Sequence, residues 1–476
     1  MEWLMALPEL LLAAGGLAVI GADLTWKRRE VSGAVAAASF LFALGSLWPA
    51  AGVPGEAWQG MLTVDAYALF FKALFLLTGL LVVFLAHPYV VKREIHAGEF
   101  YSLLVFAVLG MVMMASSRDL LMIYLGLELL SISSYVLAGM LKDDARSLEA
   151  SLKYFLIGAM TSALLLFGIS LVYGVSGSTH VEAIRQAVAV GSEWRPVALA
   201  GMWFLLAAFA FKAAAVPFHM WAPDVYHGAP TPVSALLIAG SEAAAFSAMV
   251  RVFSGAFAPL ADQWQLIFAV LAVATMTYGN AAALVQTSVK RMMAYSAIAQ
   301  AGYVLVGLAV GTPDAIGAML YYLFAYLFMV AGTFAVIAWL SLTRPQEMLD
   351  DFEGLGRSVP WVAAATVIFM ISFIGIPPTA GFFGKFYLIR AAVGADMVWL
   401  AMVMVVNSAI SAGYYYGIVR RMYLTSAQPA SAPAPLPAGT ALAVGVSVAA
   451  TLLLMLLPQP VLEWLQSAQN LVAMLP

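Results

Sequence analysis

Six ionisable residues lie inside or beside long apolar stretches of the sequence, where little water is available to a charge. They are Glu128, Lys153, Lys212, His219, Glu242 and Lys385. A charged side chain at the centre of a bilayer costs about 2.5–3.5 kcal/mol on insertion scales, so such residues are kept mainly where they have a function. Removal from water also disfavours the ammonium form of an amine, which lets a buried lysine release its proton near neutral pH. The set therefore predicts proton transfer through an apolar interior.

These residues differ in how deeply they lie within the predicted helices. Glu128 lies near the middle of a predicted span at 119–140, and Lys212 is similarly deep, so neither side chain is expected to reach water. Glu242 lies well inside the span that starts near Val233. Lys153 is close to a helix end, where the alternative is an ammonium that extends to the membrane surface. We expect the lysines to carry protons and Glu128 to modulate them as a charge partner.

Two proline motifs interrupt predicted spans. Pro217 breaks the seventh span, and the Pro-Pro pair that ends at Pro378 breaks the twelfth. Proline removes a backbone donor, which a membrane tolerates only beside protein or a water-filled cavity. Lys212 precedes the first break and Lys385 follows the second, and interrupted helices at corresponding positions indicate inverted repeats. His219, inside the first break, is either a member of the proton relay or a hydrogen-bonded structural residue.

Other polar residues in the spans support weaker predictions. Lys72 is deep in its span but has no local motif, whereas Asp65 and Glu149 lie near span ends and Asp224 is expected to be part of a loop. Hydroxyl groups can supply hydrogen-bonded links between proton carriers, although each is also an ordinary helix-packing group. The candidates for such links are Ser131, Ser133, Ser134, Tyr154, Ser162, Ser241 and Ser296.

The composition places all of these residues in a membrane. Hydrophobic residues make up 63% of the 476 residues and charged residues 10%, and the mean hydropathy is +0.94. A soluble fold has no means of hiding so much apolar surface from water. Lys and Arg are too scattered for nucleic-acid binding. The chain has no cysteine, so it offers no thiolate ligand to zinc or to an iron–sulfur cluster.

The hydropathy pattern predicts an all-α polytopic membrane protein with about fourteen transmembrane helices, since a span needs roughly 20 apolar residues. The first span has Glu2 and Glu9 where a signal peptide would be basic, so we expect it to be retained. The segment from Val181 to Arg195 is predicted to lie on the surface, and 426–438 to be a linker. The expected spans are 2–24, 31–50, 63–86, 99–116, 119–140, 148–174, 196–219, 233–257, 262–286, 291–311, 313–342, 359–395, 396–420 and 439–458.

Loop charges predict the orientation of the chain. Most Lys and Arg residues outside the spans, including the cluster Lys27–Arg29 and the pairs at Lys290 and Arg420, fall in odd-numbered loops. Because cytoplasmic loops concentrate Lys and Arg, the odd loops are predicted to face the cytoplasm and both termini the outer side.

Several motifs of this sequence resemble one family. The matching stretches are Arg118–Tyr135, Glu149–Phe155, Phe211–Lys212, Pro217–Tyr226, Pro230–Pro232, Lys290–Ser296 and Gly381–Phe386. They resemble the antiporter-like membrane subunits of respiratory complex I (NADH–quinone oxidoreductase), and among these most closely the subunit N group. The resemblance covers roughly residues 99–390.

The resemblance implies a proton-translocating subunit in a bacterial inner membrane. It implies three N-terminal helices (1–98), two inverted five-helix repeats (99–257 and 258–425), and a linker with a last helix (426–476). It also implies that the proton path includes Glu128, Lys153, Lys212 and Lys385. The partners would be the other membrane subunits of the complex and the lipid bilayer. NADH, FMN, the iron–sulfur clusters and quinone would bind to partner subunits, and this chain would hold no cofactor.

Two residues depart from the pattern of that family. Glu242 occupies a position where lysine is usual, and Gln300 one where histidine is common. The carboxylate of Glu242 could pair with Lys212 or replace a proton carrier by one of opposite charge. Because unlike charges attract strongly at low dielectric, we expect Glu242 and Lys212 to contact directly or through one water molecule.

Two other classes of function are also considered. A subunit of a multi-subunit cation/proton antiporter or of a membrane-bound hydrogenase shares the helix pattern and most of the charges. A purely structural membrane scaffold is disfavoured by the charges within spans and by the pairing of two lysines with helix breaks.

Overall fold

A computed structural model describes residues 2–189, 194–344, 346–425 and 435–458. The described chain is almost entirely helical, as a membrane requires, because helices satisfy their own backbone polar groups. The helices are α1 Leu7–Trp26, α2 Arg29–Ala51, α3 Ala66–Lys92, α4 Ala97–Ser116, α5 Leu120–Ala138, α6 Ala145–Ser176, α7 Val181–Ala189, α8 Arg195–Lys212, α9 Ala222–Gly228, α10 Thr231–Ala256, α11 Ala261–Ala283, α12 Val289–Val310, α13 Pro313–Ser341, α14 Pro360–Ile374, α15 Ala380–Gly394, α16 Val398–Leu424 and α17 Ala438–Leu456.

Short elements complete the described chain. Strands β1 (Gly55–Ala57) and β2 (Leu62–Val64) form an antiparallel hairpin between α2 and α3. Four single turns of helix lie outside the long helices, at Glu2–Met5, Ala258–Leu260, Leu349–Phe352 and Leu355–Ser358.

Thirteen of the fourteen predicted spans are confirmed in approximate position. Each corresponds to a helix in the described residues that is long and apolar enough to cross a membrane. The predicted span 359–395 corresponds to the two shorter helices α14 and α15. The predicted surface segment begins with α7, which buries only Val181 and Ile184. Most of the predicted linker 426–438 lies outside the described residues.

Both predicted helix breaks are present. Helix α8 ends at Lys212, and helical structure resumes at Ala222. Helix α14 ends at Ile374, followed by Gly375 at φ +88°, a left-handed conformation that favours glycine. Each break leaves backbone carbonyls at a helix end without their usual intrahelical donor. Side chains can therefore bind backbone at these two depths in the membrane.

Helix α10 lies at the centre of the molecule. All residues in its most apolar 18-residue stretch are buried (100%), compared with 33% of the residues in the corresponding stretch of α6. The helix contains two π-helical segments, Leu237–Ser241 and Val250–Ala256, on either side of Glu242. Such wide turns are frequent at functional sites because they redirect the side chains that follow. Glu242 is therefore held in the packed interior of the chain.

Candidate functional site

Lys212 is bound where three helices meet. Its Nζ atom donates hydrogen bonds to Ser131 Oγ of α5 at 2.9 Å and to Tyr154 Oη of α6 at 3.0 Å. The residue is only 2% exposed. A hydroxyl can accept from an ammonium and can also donate to a neutral amine. The site can therefore hold this side chain in either protonation state.

Glu128 lies one turn before Ser131 on α5, so both residues face the same side of that helix. Ser162 of α6 donates a hydrogen bond to Glu128 Oε1. A cavity of about 10 Å³ is lined by Ser131, Lys212 and Ser162, the serine that binds Glu128, among other residues. This volume is close to what one water molecule occupies. Hydroxyl groups and a single water can therefore connect Glu128 with Lys212.

An aromatic stack fixes the orientation of Tyr154. Its ring lies parallel to Trp221, with centroids 4.6 Å apart and 4° between the planes. Trp221 Nε1 in turn donates to the carbonyl of Phe211 at 2.9 Å. After the helix break that follows Lys212, the chain therefore places the indole of Trp221 against the ring of the tyrosine that binds Lys212. This packing holds the ring of Tyr154 in place beside Lys212.

Glu242 has its own hydrogen-bond donor. Tyr226 Oη of α9 donates to Glu242 Oε1 at 2.9 Å, and Glu242 is 2% exposed. The predicted direct contact between Lys212 and Glu242 is wrong, because no ion pair joins them among the described residues. Hydroxyl groups of α5 and α6 satisfy Lys212, and the hydroxyl of Tyr226 satisfies Glu242. Each of the two side chains therefore has its own hydrogen-bond partners.

Lys153 contacts two carboxylates. Its Nζ atom lies 2.6 Å from Glu149 Oε1 on the same helix and 2.8 Å from Asp224 Oδ2 on α9. Arg291 Nη1 of α12 lies 3.0 Å from the other oxygen of Asp224. The lysine side chain is 40% exposed. Asp224, expected to be only part of a loop, thus joins Lys153 to the second half of the chain.

Lys385 is bound by the second helix break. Its Nζ atom donates to the carbonyl of Phe373 at 2.8 Å, to that of Ile374 at 3.2 Å and to Ser408 Oγ at 3.2 Å. The same atom lies 4.0 Å from the ring centroid of Tyr303. No carboxylate lies within ion-pair distance of Lys385 in the parts of the chain that the structure covers.

Gln300 and His219 have different surroundings. Gln300 Nε2 donates to the carbonyl of Phe373 at 3.2 Å, and that carbonyl also binds Lys385. The neutral amide therefore lies next to the lysine of the second break. The His219 ring packs edge-on against Tyr278, with centroids 4.5 Å apart. No described hydrogen bond or ion pair connects the His219 ring to the other five predicted site residues.

Three buried ion pairs were not predicted from the sequence. They are Lys72 with Glu9 at 2.7 Å, Arg251 with Asp65 at 2.6 Å, and Lys290 with Glu347 at 3.4 Å. Asp65, Arg251 and Lys290 are all buried, although the sequence pattern places Asp65 near a span end and Lys290 in a loop. An acidic residue in the first turn of an apolar helix, as Glu9 is in α1, was the available signal for the first pair. The other two pairs join distant segments and have no local signal.

Comparison with known proteins identifies the group to which these features belong. The sequence profile described as "NADH:quinone oxidoreductase/Mrp antiporter, TM" matches residues 117–411. NADH-quinone oxidoreductase subunit N 2 of Symbiobacterium thermophilum is 46% identical over 91% of this chain and 90% of its own length. F(420)H(2) dehydrogenase subunit N of Methanosarcina mazei is 41% identical over 87% and 88%. Among solved structures, a chain of Thermus thermophilus respiratory complex I with bound aureothin superposes with a TM-score of 0.82 at 34% identity, covering 96% of this chain and 98% of that one.

Proposed function

This chain belongs to the NADH:quinone oxidoreductase/Mrp antiporter transmembrane family, and from that premise we propose that it moves protons as the subunit N of a quinone-reducing respiratory complex. The observation that carries the proposal is the environment of Lys212. A buried amine with two hydroxyl partners beside a water-sized cavity can take up and release a proton without losing its hydrogen bonds.

The relay that we propose runs through the charged groups of both halves. Lys153, at the rim, exchanges protons with water, and Lys212 holds the proton in the interior. Glu128 stabilises the charged form of Lys212, and Glu242 carries or modulates charge on the central helix. Lys385 is the corresponding lysine of the second break. His219 is the least supported member of the relay. Its ring packs against Tyr278, and no described hydrogen bond or ion pair joins that ring to the other relay residues.

The redox chemistry that drives the pump belongs to other subunits in this proposal. The chain has no cysteine, and no cluster of three His, Asp or Glu side chains suited to a metal occurs within the described ranges. NADH, FMN, iron–sulfur clusters and quinone would bind to partners. Glu128 is only partly buried in the isolated chain, and a carboxylate facing lipid is costly, so a neighbouring membrane subunit is expected to cover it.

We also propose that residues 99–257 and 258–425 are inverted repeats. The first half contains a backbone bridge in which the amide of Leu120 donates to Thr179 and that of Val181 to Arg118, at 2.9 and 2.8 Å. The second half contains the same arrangement. There the amide of Val289 donates to Glu347 at 3.0 Å, and that of Leu349 to Thr287 at 2.9 Å. The matching positions of these bridges, at the starts of α5 and α12, support two related units.

The proposed orientation has both termini on the outer side of a bacterial inner membrane. The chain lacks cysteine, so single cysteines can report which side of the membrane a residue faces. A cysteine at Gly52 should react with an impermeant reagent from outside, and one at Thr343 only from the cytoplasm. Both positions are exposed, whereas Ser46, another candidate from the loop pattern, is buried in α2. The reverse labelling pattern would contradict the orientation.

Reconstitution of the complete complex tests the function. Liposomes containing it should move protons when NADH is oxidised and quinone is reduced, and an inhibitor of quinone reduction should stop the movement. A sodium or potassium gradient alone should move few protons. Proton movement driven by a cation gradient, and absent with NADH and quinone, would favour the cation/proton antiporter instead.

A further inference from the structure

Helix α9 and the residue before it contact Glu242, Lys153 and the tyrosine that binds Lys212. Tyr226 of α9 binds Glu242. Trp221, which precedes α9, stacks on the tyrosine that binds Lys212. Asp224 binds Lys153. The helix has only seven residues, and the break before it separates it from α8. A shift of this short helix would therefore change three proton-carrying sites together.

Asp224 is also the contact between α9 and the second half of the chain. Its two carboxylate oxygens bind different cations, Lys153 of α6 at 2.8 Å and Arg291 of α12 at 3.0 Å. The carboxylate is 32% exposed and both cations are similarly accessible. Partly exposed ion pairs contribute little to folding, so the stability of the chain does not explain this arrangement.

Asp224 remains ionised at neutral pH. Burial acts to raise its pKa, but the hydrogen bond from Lys153 and the charges of Lys153 and Arg291 outweigh that effect, and its pKa lies below the usual value. A carboxyl group with a lowered pKa loses its charge only as the pH falls below its ordinary range. Asp224 is therefore a fixed anion near neutrality and not itself a proton carrier.

We propose that Asp224 is a positioning residue that couples the charge of Lys153 to the other two sites by holding α9 between the two halves of the chain. This inference rests on the proposed function, because it takes Lys153 to be the group that exchanges protons at the rim. When the ammonium of Lys153 contacts Asp224, Asp224 is held from both sides. When that ammonium swings away into water, only Arg291 attracts Asp224. Helix α9 is then drawn towards the second half, and Tyr226 and Trp221 move with it.

The proposal is tested in the complete reconstituted complex with Asp224→Asn, which keeps the size of the side chain and removes its charge. Protons moved per NADH oxidised should fall about fivefold, the scale of a partly exposed ion pair. NADH oxidation should fall less, because the quinone-reducing subunits are untouched. Asp224→Glu should restore most of the ratio. A wild-type ratio in Asp224→Asn would overturn the proposal.

Glu149→Gln is the matched control. Glu149 also contacts Lys153, at 2.6 Å, but it lies on the same helix and has no described ion pair with the second half. The proposal predicts less than about a twofold change in the ratio for this variant, within the range of an exposed pair on one helix. A loss equal to that of Asp224→Asn would show that any anion beside Lys153 suffices, which would overturn the role of α9.

A double variant separates positioning from a general structural role. If Asp224 acts through Lys153, Lys153→Met combined with Asp224→Asn should pump no worse than Lys153→Met alone. If the losses of the two single variants simply multiply in the double variant, the proposed coupling is overturned. If Asp224→Asn prevents assembly, Arg291→Gln tests the other side of the same contact. It should lower the ratio while Arg291→Lys retains it, and equal ratios for these two variants would overturn the proposal.

The two propositions can fail separately. If the wild-type complex moves no protons with NADH and quinone, the proposed function fails and the role of Asp224 falls with it. If the wild-type complex pumps and Asp224→Asn pumps equally well, only the inference about α9 is wrong.

Discussion

The two broken helices bind their lysines in different ways. In the first half, Lys212 is bound by the hydroxyl groups of Ser131 and Tyr154. In the second half, Lys385 is bound by the carbonyls of Phe373 and Ile374 and by one serine hydroxyl. Hydroxyls can reorient between accepting and donating, whereas the carbonyls are fixed at the end of a helix. The first site is suited to a change of protonation, and the second to holding a cation.

The charges around the two lysines differ in the same sense. Glu128 binds Ser162, which lines the same water-sized cavity as Lys212, and Asp224 and Glu242 lie on neighbouring elements. Around Lys385, the neutral Gln300 and Tyr303 take the place of carboxylates. The carbonyl end of α14 supplies a fixed partial negative charge of roughly half an electron. The comparison indicates that side-chain charges control the first lysine and that backbone dipoles hold the second.

Arginine substitutions should show the largest difference between the two halves. Arginine cannot release its proton in a protein, so Lys212→Arg should lower NADH-driven pumping as much as Lys212→Met does. Since a positioned proton-transfer group contributes about 10²-fold or more to a rate, we expect at least about a tenfold loss. Lys385→Arg should retain clearly more pumping than Lys385→Met, because the helix end still binds a cation. Equal losses in both arginine variants would remove the distinction.

A carboxylate in the second half should make it resemble the first. Gln300→Glu places an anion beside Lys385, since both side chains bind the carbonyl of Phe373. Attraction between unlike buried charges should immobilise Lys385 and lower pumping by about threefold to tenfold, on the scale of 1 kcal/mol or slightly more. Gln286→Glu, the same change near the end of α11, is the control. Unchanged pumping in Gln300→Glu would show that Lys385 does not depend on a neutral surrounding.

Because Lys212 and Glu242 have separate hydrogen-bond partners, we expect the effects of substituting them to be additive. Lys212→Met and Glu242→Gln should each impair the complex, and the double variant should assemble no better than Lys212→Met alone. Independent sites add within about 0.3–0.5 kcal/mol, whereas an ion pair would let the second change relieve the first. Membrane content of the assembled complex is the measurement. Recovery of assembly in the double variant would show that the two charges do interact.

The smallest effect is expected from Tyr226→Phe. This change removes the hydroxyl that donates to Glu242 but keeps the ring packed against Trp221. Loss of one hydrogen bond to a charged group costs about 1.5–3 kcal/mol. Reorientation of Glu242 should recover part of that energy, so we expect only a severalfold loss of pumping. Tyr173→Phe is the control, because Tyr173 is exposed near the end of α6. Equal effects in both variants would mean that Tyr226 serves only in packing.

The sequence predicts features that depend on local pattern. Hydropathy and proline identify the spans and both breaks because each is encoded within about twenty neighbouring residues. Buried charges such as Lys212 and Glu242 are recognisable for the same reason. Three of the predicted polar links, Ser131, Tyr154 and Ser162, are direct partners of predicted site residues in the structure.

The sequence does not predict which charges become partners. Lys72 pairs with Glu9 of α1, and Asp224 bridges Lys153 to Arg291, across segments far apart in the chain. Which residues meet depends on the rotation of each helix about its axis and on how the helices pack. Neither can be read from the sequence of a single helix. The expectation that Lys212 and Glu242 touch fails for this reason, because depth in a membrane does not fix direction.

The central claim is that protons pass through Lys212, and one measurement tests it most directly. The complete complex with Lys212→Met, in sealed liposomes, is compared with wild type for protons moved per NADH oxidised. Lys142→Met, in an exposed loop, is the matched control. The account predicts that Lys212→Met assembles but moves few or no protons, and that Lys142→Met matches wild type. A wild-type ratio in Lys212→Met would contradict the account, because the proton would then have a path that avoids the residue on which the site is built.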